Sequence, residues 1–200
     1  MIIFRSRRPR SLLRGKEVPE GNKGFRPESI ILGIDPGTAR MGYSVLSHEK
    51  KKVKLLERSV IVTPAEMEMH LRLKSIFEEL NSIVKKYSPE IMIIEKLFFN
   101  TNAKTAMTVG QARGVSMLIA ANHKMKVFEY TALEAKKELT GYGRADKKDM
   151  QKSVMNYLKL KEIIKSDDAN DAVAIVLCYF LKQKVLSGKT YDQNNIRKKA

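Results

Sequence analysis

Apolar and polar positions along the chain switch repeatedly between a period of two and a helical period. Ile30–Ile34 is a continuous aliphatic run ended by Asp35 and the turn residues Pro36-Gly37-Thr38, the pattern of a strand buried on both faces. Gly42–Ser47 alternates, His48–Lys52 is a polar turn, and Val53–Val62 is again strand-like. These three segments predict an antiparallel meander, which Pro64 ends. Glu66–Tyr87 places Met67, Leu71, Ile76, Leu80, Ile83 and Val84 near helical spacing. Ser88-Pro89 closes that helix, because a residue before proline disfavours helical backbone. Glu90–Glu95 repeats the opening pattern, with apolar Ile91–Ile94 leading to a terminal carboxylate.

A long helix capped by Thr101 or Asn102 is expected through Asn122. Its Ala103, Ala106, Met107, Gly110, Gly114 and Met117 form a small-residue face suited to close packing, within the fold or across a dimer. Val127–Tyr130 reads as a short strand, Thr131–Leu139 as a helix, and Asp146–Leu158 as a helix with a Lys147-Lys148 face. Ser166 is a good N-cap, with Asp167 and Asp168 in the first turn where the helix dipole favours anions. Ala172–Leu186 is almost wholly apolar and must pack on the sheet. The order predicts an α/β fold: a five-stranded mixed sheet, three strands antiparallel and two parallel, flanked by helices.

Charge adds a partner class. The 200 residues carry 38 Lys and Arg against 22 Asp and Glu, a formal charge of +16. Residues 1–28 and 182–200 each contribute +5, leaving +6 for the body. Such a domain attracts phosphate backbones or anionic lipid. No run approaches the ~18 apolar residues of a spanning helix, so no membrane partner is expected. The Arg-rich start lacks the apolar stretch of a secretory signal. It is expected to be a disordered basic arm, with organelle import the minority alternative. The expected division is a basic extension over 1–28, one domain over 29–187 and a basic tail over 188–200, in a cytoplasmic, nucleoid-associated protein. Cys178 stands alone in an apolar stretch, which gives no disulfide framework. His48, His70 and His123 share no spacing and are expected to be solvated.

Asp35 and Glu95 end two strands that this topology can place side by side, and Asp168 and Asp171 are three apart on one helix face. Each acid alone reads equally well as a turn, surface or capping residue. Convergence of all four is strongly unfavourable without cations, and hard divalent ions held by oxygen ligands, Mg²⁺ or Mn²⁺, would neutralise it. Two such ions about 4 Å apart suit in-line attack of water on a phosphodiester. The chain shows no Ser-His or Cys-His pair that would serve as a covalent nucleophile.

Four blocks carry a resemblance: Ile31–Tyr43, Ile94–Phe98 continuing to Gly110-Gln-Ala-Arg-Gly114, Val127–Tyr130 with Lys136, Gly141-Tyr-Gly143 and Lys147, and Asp168-Ala-Asn-Asp171-Ala172. In this order they resemble the RuvC family of Holliday-junction resolvases, in the RNase H-like superfamily. The resemblance implies catalytic, metal-binding roles for Asp35, Glu95, Asp168 and Asp171, with two Mg²⁺ per site and Mn²⁺ as a substitute. It implies DNA contacts by Phe98, Lys136, Lys147 and Arg113, Phe98 as a wedge against bases at the crossover. It further implies a homodimer that nicks opposed strands of a four-way DNA junction, leaving 5′-phosphate and 3′-hydroxyl ends, alongside a RuvA/RuvB-type branch-migration complex. Residues 1–28 and the tail from Ser187 have no counterpart in a typical member. The alternatives are a catalytically silent or RNA-directed relative, and an actin-like phosphate-binding domain. The latter shares the Asp-x-Gly-Thr turn but needs a second such domain.

Overall fold

A computed structural model of the chain describes residues 28–49, 52–96 and 103–186. β1 (Glu28–Asp35), β2 (Arg40–Glu49), β3 (Lys52–Val62), β4 (Ile91–Glu95) and β5 (Lys126–Tyr130) form one sheet in the order β3-β2-β1-β4-β5. β1, β2 and β3 pair antiparallel, while β4 pairs parallel with both β1 and β5. α1 (Met69–Tyr87) and α2 (Ala103–Asn122) cover one face; α3 (Ala132–Thr140), α4 (Lys147–Leu158) and α5 (Asp167–Lys182) cover the other. This is the expected mixed sheet flanked by helices. Each strand or helix begins or ends within a few residues of its expected bounds.

Strand parity sorts the core. Leu32, Ile34, Met92 and Ile94 face α1 and α2, whereas Ile31, Ile91 and Ile93 face α5. Because successive side chains alternate, Asp35 and Glu95 emerge on the α5 face. On β2 the same face carries Gly42, Ser44, Leu46 and His48, each of which meets α5 or its cluster. α5 is buried along nearly its whole length from Ala169 to Leu181, as its apolar sequence demands.

Three expectations are corrected. His48 is buried, its ring 5.7 Å from that of Phe180, because its even position points it under α5; burial holds its pKa down. α1 starts at Met69, so Met67 precedes it, and Leu71 is 43% exposed while Ile76, Leu80, Ile83 and Val84 carry the packing. The last helix stops at Lys182, short of Leu186, where Gln183 caps it and Lys184 turns left-handed. Cys178 is buried, and loss of water pushes its thiol up to about 12, so it is unreactive as expected of a small core residue. No helix among the described residues is long and apolar enough to cross a membrane.

Candidate active site

The β1–β4 pairing aligns Ile34 with Ile94, so the next residues, Asp35 and Glu95, end adjacent parallel strands. Their carboxyl groups face each other closely enough that the charge of one disfavours ionisation of the other. Burial, then the charges of Glu95 and Asp171, raise Asp35 from 3.8 to about 8. Glu95 is also raised, chiefly by burial, while Asp35 and Lys136 oppose that shift.

α5 delivers the other acids by an unusually close approach to the sheet. A Cβ on Gly42 would stand 2.0 Å from the Asp168 carbonyl, and one on Gly33 would stand 2.2 Å from the Ala172 carbonyl. Only glycine leaves that room. Ser44 Oγ donates to the same Ala172 carbonyl at 2.7 Å in a buried hydrogen bond. Ser166 caps the helix by accepting from the Ala169 N–H. The positive end of the helix therefore abuts Asp35 and Glu95, which suits anions. Partial loss of water raises Asp171, with Asp167 and Asp168 adding to the rise and Lys136 opposing it.

The structure thus brings Asp35, Glu95 and Asp171 together, with Asp168 beside them. Asp168 Oδ2 accepts from Arg40 Nε at 2.8 Å, and Asp167 Oδ2 from Lys147 Nζ at 2.6 Å. Among the described residues no three of His, Cys, Asp and Glu already close into a cation cage. The donor set nonetheless fits a hard divalent ion, because clustered carboxylate oxygens are the ligands such ions take. A cleft of about 180 Å³ opens beside it, lined by Glu95, Lys136, Lys147, Asp167, Asn170 and Asp171.

Both expected lysines therefore face the acids. Lys136 sits on α3, whose Thr131–Glu134 capping box fixes its start. Lys147 opens α4, where Asp146 caps the helix by accepting from the Asp149 N–H at 2.8 Å. Arg113 has another occupation: it donates to the Glu95 carbonyl at 2.9 Å and pairs with Glu129. It thereby braces the end of β4, and DNA contact would require it to leave both partners. Phe98, with the caps Thr101 and Asn102, lies outside the described residues. Sequence reasoning missed Arg40, Gly42 and Ser44. The signal available was the run of even positions 42, 44, 46 and 48, small at the end near Asp35 and bulky at the other.

A family model described as crossover junction endodeoxyribonuclease RuvC matches residues 31–179. The chain belongs to the RuvC family. Curated RuvC relatives include one from Alkaliphilus oremlandii, 49% identical over 150 residues, 75% of this chain and 92% of the relative. Another, from Finegoldia magna, is 46% identical over 154 residues, 77% of this chain and 94% of the relative. Among solved structures, Thermus thermophilus RuvC in complex with Holliday junction substrate superposes with a TM-score of 0.73 at 28% identity, covering 77% of this chain and 94% of that one. RuvC proteins are metal-dependent nucleases, and the acidic edge just described lies wholly within the matched segment.

Proposed function

We propose that this RuvC-family chain resolves four-way DNA junctions by paired symmetric nicks, using Asp35, Glu95, Asp168 and Asp171 as its metal-binding carboxylates. The observation that carries the site assignment is the half-buried Asp35–Glu95 carboxyl pair at adjacent strand ends, abutted by the first turn of α5. Two divalent cations held there, Mg²⁺ with Mn²⁺ as substitute, would activate the attacking water and stabilise the leaving 3′-oxygen.

The chain's own residues do the rest. The Asp35–Glu95 pair gives up its proton when its carboxylates are needed as ligands. Glu95 and Asp171 supply oxygens from opposite elements, so the strand ends and the helix fix the spacing of the site. Lys136 and Lys147 line the cleft and draw in the phosphate backbone. The body charge of +6 keeps the duplex arms attached without reading sequence. α2 offers Met107, Gly110, Gly114 and Leu118 as an open apolar stripe, with nothing within 4 Å of a Cβ added at either glycine. That stripe suits a homodimer, which would set two sites on opposed strands. Phe98 serves as the base wedge, and a branch-migration complex of RuvA/RuvB type is the expected partner.

Purified protein with Mg²⁺ should cut a four-way junction symmetrically and leave linear duplex intact. Asp35→Asn should lose cutting by at least about a hundredfold while still binding the junction in a gel-shift assay. Equal affinity for junction and linear duplex, or undiminished cutting by the variant, would overturn the assignment.

A further inference from the structure

The mechanism above leaves the Arg40–Asp168 ion pair without a task. Arg40 opens β2, and its backbone is fixed from several sides. Its carbonyl lies 2.1 Å from where a Gly37 Cβ would stand, so the turn closes tightly beneath it. The neighbouring Ala39 carbonyl accepts from the Thr63 N–H at 3.1 Å. Thr63 Oγ1 donates to the Thr38 carbonyl at 2.5 Å and accepts from Arg72 Nε of α1 at 2.8 Å. The Arg40 side chain, by contrast, is 53% exposed and holds Asp168 by one Nε contact instead of a two-pronged fork. A rigid base thus carries an exposed cation held by a single contact.

That cation occupies the oxygen that a metal would need. Guanidinium keeps its charge at every accessible pH, so it cannot be neutralised in place as a lysine or histidine can. A divalent ion seated on Asp168 and a guanidinium on the same Oδ2 repel one another, and one of them must leave. An exposed single-contact ion pair is weak, so the guanidinium is the one displaced. Once displaced, its planar donors match a phosphate.

We propose that Arg40 is an exchangeable latch: it holds Asp168 before metal arrives, and metal entry hands its guanidinium to a backbone phosphate of the bound DNA. Arg40 is therefore a positioning residue that couples metal loading to DNA affinity. The inference rests on Asp168 being a metal ligand. By linkage, DNA must raise metal affinity by the same factor that metal raises DNA affinity.

The test uses the full chain stripped with EDTA. Mn²⁺ affinity is read by electron paramagnetic resonance of free Mn²⁺, and four-way-junction affinity by fluorescence anisotropy in EDTA and in Ca²⁺. Arg40→Gln should bind Mn²⁺ about three- to fivefold more tightly than wild type, since the competitor is gone. The same variant should gain about three- to tenfold less junction affinity from Ca²⁺, because no guanidinium is released. These opposite signs are not the result of general loosening, which would weaken both. Arg40→Lys keeps the charge without the fork; it should match wild type for Mn²⁺ yet lose part of the Ca²⁺ gain, and it serves if the Gln variant folds poorly. Unchanged Mn²⁺ affinity in Arg40→Gln, an undiminished Ca²⁺ gain, or a Lys variant that binds Mn²⁺ more tightly than wild type overturns the latch. Asp35→Asn separates the two readings: if it still binds Mn²⁺ like wild type, the metal site itself is misassigned. If Asp35→Asn loses Mn²⁺ while Arg40→Gln behaves as wild type, the latch alone fails.

Discussion

Without a cation, the Asp35–Glu95 pair favours keeping a proton, because two carboxyl groups in one poorly hydrated edge resist ionising together. The folded pKa of Asp35, about 8, stands above the ordinary 3.8, so the folded state holds the proton more tightly than the unfolded chain. The stabilisation from that proton is complete below the ordinary value and is lost as pH rises toward about 8. In EDTA at pH 8, Asp35→Asn should therefore melt roughly 4 °C or more above wild type, with the gap vanishing near pH 4; thermal denaturation followed by circular dichroism reads both. Metal binding must expel the same proton. Mn²⁺ affinity should rise about tenfold per pH unit up to about 8, and calorimetry in buffers of different ionisation enthalpy should count close to one proton released. A site with such a strained ground state trades stability for readiness to bind cations.

At the scale of elements, the site exists because α5 is allowed to touch the sheet. Gly42→Ala places a methyl where the Asp168 carbonyl already lies, so the first turn must lift away. The expected cost is about 1–3 kcal/mol in urea unfolding, with junction cutting down by more than about tenfold while junction binding persists. Ser44→Ala removes the hydroxyl that ties the Ala172 carbonyl and should cost about 1 kcal/mol with a smaller loss of cutting. The strand ends Asp35 and Glu95 were legible in the sequence, because an aliphatic run closed by an acid and a turn says where a side chain is delivered. The pairing of Asp168 with Arg40 was not legible. Residues 128 positions apart meet only through the β1–β2 hairpin and the seat of α5, and no periodicity records that. His48 misled for a related reason: beside three lysines it reads as turn, yet the strand continues through Glu49 and parity turns it inward.

The whole molecule is tied together at the far side by Glu57. It accepts from Tyr43 and Tyr87 hydroxyls and from Lys86 Nζ, joining β3 and β2 to the end of α1. Those donors hold its carboxyl down at about 2 from an ordinary 4.5. Their stabilisation is present above the ordinary value and fades as pH falls toward about 2. Glu57→Gln should lower stability by about 1–3 kcal/mol at pH 7, with wild type and variant converging in acid; urea titrations at several pH values decide it. On α2, which covers the same sheet face as α1, the proposed dimer predicts that Met107→Glu is monomeric in sedimentation analysis where wild type is dimeric, because a charge enters the open stripe. Overall architecture was readable from the two periods alone. Which face of α2 would be left open was not, since Ala112, Ser116, Ile119 and Ala120 bury one side while the glycine side stays bare.

The seating of α5 bears on synthesis as well as on catalysis. Asp168 and Asp171 lie more than 130 residues after Asp35, on a helix that the sheet needs to cover Ile31, Ile91 and Ile93. A nascent chain still on the ribosome, with residues 168–182 not yet emerged, has two of the four carboxylates and an uncovered sheet. On the proposed assignment of the four carboxylates, competence to cut DNA and completion of the core would be reached in the same step. A product terminated before α5 would lack both Asp168 and Asp171 and the cover of the sheet.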